Sequence, residues 1–198
     1  MTKPQRLALK LHARSPRIEH ADLEASVGLF HRYIQQKRLP GLLLDVADYA
    51  HVPDGPGVIL IGHEVDYGID LSGGRAGLLV TRKRNRDLDL GALLRDALRL
   101  ALEAAAALEI DGPRGFQLDT GRLEIRVVDR LALRNDAAGF AALERAARPL
   151  LMQLYEAPEL AAVHASAADP RGLLTLAVEV GGAAKAGELL ARLGGIRA

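Results

Sequence analysis

The order in which strand-like and helix-like apolar patterns alternate is the feature that most constrains the fold of this chain. Apolar and polar residues alternate over residues 6–11, as they do in a strand with one buried face. From residue 23 to residue 34 the apolar residues recur at helical spacing instead, and Pro40–Gly41 ends that pattern. A strand followed by a helix is the first element pair that we predict.

Two apolar runs follow, residues 42–52 and 58–70, and the segment Pro53–Gly57 separates them. Proline presets a turn dihedral and glycine accepts positive φ, so such a segment favours a tight reversal. We therefore predict a hairpin that turns at Asp54–Gly55. In that register Asp48 lies diagonally from Glu64.

The second half of the chain shows a similar order. After a strand at residues 77–83 and a helix capped by Asp89, the patterns predict a strand at 122–128, a helix at 136–155, two strands at 161–167 and 173–180, and a closing helix at 183–193. An offset of about 115 residues superimposes the two series, which indicates an internal duplication. In that overlay the turn at Asp54–Gly57 falls on Asp169–Gly172.

These patterns predict an α+β protein built from two related β-α-β-β-α units, residues 1–112 and 113–198, within one compact domain. The first unit carries one additional strand. We expect a mainly antiparallel sheet, or two packed sheets, with helices covering one face.

Composition excludes several classes of protein. The chain has 198 residues, 49% of them hydrophobic, and no cysteine, so it has material for a core but cannot form disulfides or cysteine-ligated metal sites. No apolar run approaches the roughly 20 residues of a membrane helix, and residues 1–17 lack the apolar centre of a signal peptide. We expect a soluble cytoplasmic protein without a membrane partner.

The residues between Leu39 and Gly74, here called the acidic segment, have an unusual composition. They contain no lysine or arginine but two histidines and six acidic residues: Asp45, Asp48, Asp54, Glu64, Asp66 and Asp70. The two strand segments of the predicted counterpart, residues 161–167 and 173–180, are nearly free of acidic residues. The acidic segment is therefore the candidate site.

Imidazole and carboxylate ligands suit zinc, iron or manganese, and carboxylates alone suit magnesium or calcium. We predict His63, Glu64 and Asp66 as candidate ligands of a divalent metal. For a small ligand, the candidate residues are Asp48, Tyr49, His51 and Tyr67. The alternative is that these groups lie on a solvated face, as charged residues mostly do.

No catalytic residue follows from the sequence. A carboxylate beside a histidine could act as a general base, with Tyr49 or Tyr67 as proton donor, but the chain lacks a nucleophile elbow, a Walker loop and a dinucleotide-binding glycine motif. The leading expectation is binding of a small ligand or metal ion, with the reaction and substrate unassigned.

The alternative function is a non-catalytic homodimeric module. In it the acidic segment meets a basic surface such as Arg82–Arg86 of a second copy. Nucleic acid is disfavoured as the partner of this basic run, because neither aromatic residues nor a recognition motif surround it.

Overall fold

A computed structural model of the chain describes residues 4–84 and 87–196. The first half consists of β1 (Leu7–Ala13), α1 (His20–Gln36), β2 (Leu43–Tyr49), β3 (Gly57–Gly62), β4 (Val65–Asp70), β5 (Gly77–Arg82) and α2 (Leu90–Asp111). The second half consists of β6 (Leu118–Val127), α3 (Ala137–Tyr155), β7 (Ala162–His164), β8 (Leu174–Glu179) and α4 (Ala186–Gly195).

All eight strands belong to one antiparallel sheet, in the order β2-β3-β4-β5-β1-β6-β8-β7. Helix α1 packs on β2 and β3, α2 on β1 and β5, α3 on β8, and α4 against α2. The predicted α+β class with a mainly antiparallel sheet is confirmed, and a single sheet replaces the alternative of two. No helix within residues 4–84 and 87–196 is long and apolar enough to cross a membrane.

The predicted hairpin register is wrong. Asp48 pairs with Val58 and Asp45 pairs with Ile61, so β2 and β3 are joined by a loop longer than the predicted turn. The apolar run 58–70 is not one strand, because it reverses at His63–Glu64 and forms β3 and β4. Glu64 therefore lies at the other end of β3 from Asp48, about 15 Å along the strand.

The sheet order bears on the relation between the two halves. Strands β1 and β6 are neighbours, and the hairpin β8-β7 lies beside β6 as β5-β4 lies beside β1. The hairpin β2-β3, which contains Asp45 and Asp48, lies beyond β4 at the edge of the first half, whereas β7-β8 lies beside β6, so the two hairpins that the overlay matched do not occupy equivalent places in the sheet. The internal duplication itself stays a prediction.

Strand β1 is buried along its whole length. Its leucines, Leu7, Leu9 and Leu11, belong to the core, and the alternate residues point to the opposite face of the sheet. One of these is Lys10, which is 0% exposed and donates from Nζ to Asp70 Oδ2 at 2.6 Å and to the carbonyl of Ser72 at 2.8 Å. A charged pair is therefore buried at the centre of the sheet.

Candidate functional site

Cations from neighbouring strands neutralise the second half of the acidic segment. Lys10 of β1 reaches Asp70 at 2.6 Å, Arg82 of β5 reaches Glu64 at 3.2 Å, and Lys83 reaches Asp66 at 2.7 Å. The segment itself contains no basic residue, but basic residues from other parts of the chain contact it in the folded protein. These three carboxylates take part in ion pairs that hold β4 to its surroundings.

The other three carboxylates accept hydrogen bonds from backbone amides. Asp45 accepts from Val46, Asp48 from Ala50, and Asp54 from Gly74, at 2.8 to 2.9 Å. Strand β2 forms an edge of the sheet, where unpaired amides invite another strand to pair. Asp45 binds an amide within this edge strand, and Asp48 binds one in the turn that follows it.

The candidate metal ligands do not converge on one point. His63 Nε2 lies 3.4 Å from Arg84 Nη1, Glu64 faces Arg82, and Asp66 binds Lys83 and the amide of Gly62. In the part of the chain that the structure describes, no three His, Cys, Asp or Glu side chains are placed so that they could hold a metal ion. The geometry thus gives the metal hypothesis no support.

Added divalent cations are therefore expected to leave the melting temperature unchanged. Zn²⁺, Mn²⁺ and Mg²⁺ would have to displace Lys83 or Arg82 to reach the carboxylates of Asp66 and Glu64. Thermal unfolding with each ion, and after chelation with EDTA, is the measurement. A stabilisation that saturates with one ion and is abolished in the His63→Ala variant would restore the metal hypothesis.

The candidate ligand-binding residues also separate. Asp48, Tyr49 and His51 lie at the end of β2 that is remote from His63 and Glu64, and Tyr49 is 42% exposed. Tyr67 is 0% exposed, and its hydroxyl donates to the carbonyl of Pro40 at 3.0 Å.

Burial, followed by the nearby Glu103 carboxylate, raises the pKa of Tyr67 well above its usual value. Its hydroxyl is therefore a protonated, buried donor to the backbone rather than a group available to a ligand.

The basic run meets the acidic segment within one chain. Arg82, Lys83 and Arg84 contact Glu64, Asp66 and His63 respectively, whereas Asn85 and Arg86 lie outside the described residues. The electrostatic attraction that we expected between two copies is thus already used inside the molecule. The homodimer stays a prediction, and this electrostatic attraction does not support it.

A ladder of alternating charges links the acidic segment to α2, and sequence reasoning missed it. Glu64 pairs with Arg82 at 3.2 Å, Arg82 with Asp96 at 3.0 Å, Asp96 with Arg99 at 2.8 Å, and Arg99 with Glu103 at 2.9 Å. The last three residues are spaced i, i+3 and i+7 on α2, so they form one stripe. That spacing was a usable signal.

The ladder borders a cavity that we call the α2–α3 cleft. It has a volume of about 670 Å³ and lies between α2, α3 and the residue that follows α4. Its charged lining includes Arg82, Asp96 and Arg99. Most of the remaining wall is apolar: Leu88, Ala92, Ala146, Pro149, Leu150 and Ile196.

Arg95 and Arg82 determine the shape and polarity of this cleft. Arg95 Nη1 donates to the carbonyls of Leu193 and Ile196 at 3.2 and 2.7 Å, which holds the end of α4 against α2. The Arg82 side chain is 8% exposed and uses Nε and Nη1 for its two carboxylates. Its third nitrogen, Nη2, has no acceptor among residues 4–84 and 87–196.

Comparison of the chain with known protein families, curated proteins and solved structures found no match. The function therefore has to be argued from the geometry of the molecule itself.

Proposed function

We propose that the protein binds a small, largely apolar molecule in the α2–α3 cleft. A volume of about 670 Å³ falls within the range of ligand pockets, which combine apolar walls with a few fixed polar groups. The observation that carries the proposal is Arg82, whose side chain is more than nine-tenths buried and lines the cleft, and whose Nη2 has no acceptor within residues 4–84 and 87–196.

The surrounding charges favour an uncharged ligand. Arg82 already contacts Glu64 and Asp96, and Arg99 contacts Asp96 and Glu103. A ligand carboxylate would meet these carboxylates and be repelled by them. A carbonyl or ether oxygen can accept a hydrogen bond from Arg82 Nη2 without that repulsion, so the ligand combines an apolar body with a neutral acceptor.

Nile red, an uncharged apolar fluorophore with a carbonyl group, tests the proposal. We expect saturable binding with an increase in fluorescence. Ala146 lines the cleft from α3 and is partly buried, so Ala146→Trp fills the space and should weaken Nile red binding by at least about tenfold. Fluorescence titration of the two proteins at equal concentration measures the change.

Ala141→Trp is the matched control, because Ala141 is exposed on the same helix and does not line the cleft. It should bind Nile red as the unmodified protein does, and circular dichroism should show all three proteins folded. Equal binding by the two tryptophan variants, or no saturable binding by the unmodified protein, would contradict the proposal.

A further inference from the structure

A second cavity of about 550 Å³ lies at the other end of α2. Its walls come from the end of α2, the turn that leads to β6, the end of β1 and the start of α4. We call it the α2–β6 pocket. Three of its lining residues are cations on three different segments: Arg14, Arg114 and Lys185.

The carboxylate that lines this pocket does not neutralise these cations. Glu109 Oε1 accepts from the amide of Ala186 at 3.2 Å and so caps the start of α4. Arg14 Nε donates to the carbonyl of Leu118 at 3.4 Å. Within residues 4–84 and 87–196, none of the three cations forms an ion pair with a carboxylate.

The three positive charges make this pocket electrostatically suited to an anion. Like charges that share one cavity repel each other, and Lys185 occupies the N-cap of α4 without a side-chain capping bond, where a positive charge opposes the helix dipole. Along the ladder on α2, by contrast, each arginine lies between two carboxylates. An anion in the pocket would relieve the repulsion.

The rest of the pocket is suited to an organic group. Phe116, 4% exposed, forms part of the buried wall, and Ile110, 76% exposed, lies at the rim. Guanidinium groups bind phosphate oxygens through paired N–H donors, and an ammonium adds a point charge.

We propose that the α2–β6 pocket binds a small organic phosphate, with the phosphate held by Arg14, Arg114 and Lys185 and an apolar group against Phe116 and Ile110. This site is separate from the α2–α3 cleft. It does not depend on the function proposed for that cleft.

Phenyl phosphate is the probe, titrated calorimetrically in a phosphate-free buffer at low ionic strength. We expect saturable binding that weakens as salt is added. Arg114→Gln and Lys185→Gln should each weaken it about fivefold or more. Both residues are exposed, and neither forms an ion pair with another described residue, so the variants should fold normally by circular dichroism.

Arg145→Gln is the matched control, since Arg145 is an exposed arginine on α3 that lines neither cavity. It should leave binding unchanged. The proposal is overturned if phenyl phosphate does not bind, if Arg145→Gln weakens binding as much as Arg114→Gln, or if inorganic phosphate binds as tightly as phenyl phosphate. The last result would show that the phenyl group does not contribute to binding, whereas the proposal requires an apolar contact.

Discussion

Replacing Asp70 with asparagine is expected to lower the free energy of unfolding by about 3–5 kcal/mol, because it leaves a buried charge without its partner. Lys10 is 0% exposed, and Asp70 Oδ2 lies 2.6 Å from its ammonium nitrogen. The carbonyl of Ser72 would remain as an acceptor, but it carries no compensating charge. Urea denaturation measures the loss.

Two further variants separate the buried charge from other effects. Asp54→Asn changes another carboxylate of the acidic segment, one that is exposed and accepts a hydrogen bond from the amide of Gly74, and should cost less than about 1 kcal/mol. Lys10→Met combined with Asp70→Asn removes both charges and should recover most of the loss. If Asp70→Asn and Asp54→Asn lowered the free energy of unfolding equally, the buried ion pair would not have the stabilising role assigned to it.

The second large effect concerns Glu124 on the face of the sheet opposite the helices. A hydrogen bond from His12 at 2.9 Å and two from Arg126 lower the pKa of Glu124 from 4.5 to about 2, although burial opposes this shift. Because the folded-state pKa is the lower one, the stabilisation is complete above pH 4.5 and is lost as the pH falls towards 2. Its size is on the order of 3 kcal/mol.

Glu124→Gln should therefore be less stable than the unmodified protein at pH 7 by a similar amount, and the difference should shrink between pH 4.5 and pH 2. Urea denaturation at a series of pH values provides the measurement. Glu179→Gln, which changes an exposed partner of Arg122, should show only a small difference at any pH. A Glu124→Gln deficit as large at pH 2.5 as at pH 7 would contradict the assignment.

Local patterns in the sequence were sufficient to predict the fold class and most of the helices and strands. The alternation at residues 6–11 predicted β1, and Asp89 caps α2 as expected, with its Oδ1 accepting from the amide of Ala92 at 2.8 Å. These features depend on a period of two or 3.6 residues and on a single capping residue. Both are visible within a short window of sequence.

The error in the acidic segment arose because a continuous apolar run concealed a turn. Residues 58–70 read as one strand, yet the chain reverses at His63–Glu64, where a Cβ on Gly62 would overlap the carbonyl of Val65. The ion-pair partners of these carboxylates also could not be predicted from local sequence patterns. Lys10 and Asp70 are 60 positions apart, and only the strand order brings β1 near β4.

The α2–α3 cleft could not have been predicted from the sequence. Its walls come from α2, α3 and the end of α4, and the tether between Arg95 and Ile196 spans 101 positions. Relative helix placement depends on packing between distant segments, which one sequence without relatives does not reveal. The charge stripe on α2 was the one local sign of it.

The central claim is that a small ligand binds in the α2–α3 cleft rather than at the acidic segment. Titrating ¹⁵N-labelled protein with Nile red and following each backbone amide by NMR tests it most directly. We predict shifts concentrated at Ala92, Ala146 and Gln153, which line the cleft. Shifts concentrated at Tyr49, His51 and His63 instead would contradict the claim and show that the ligand binds at the acidic segment.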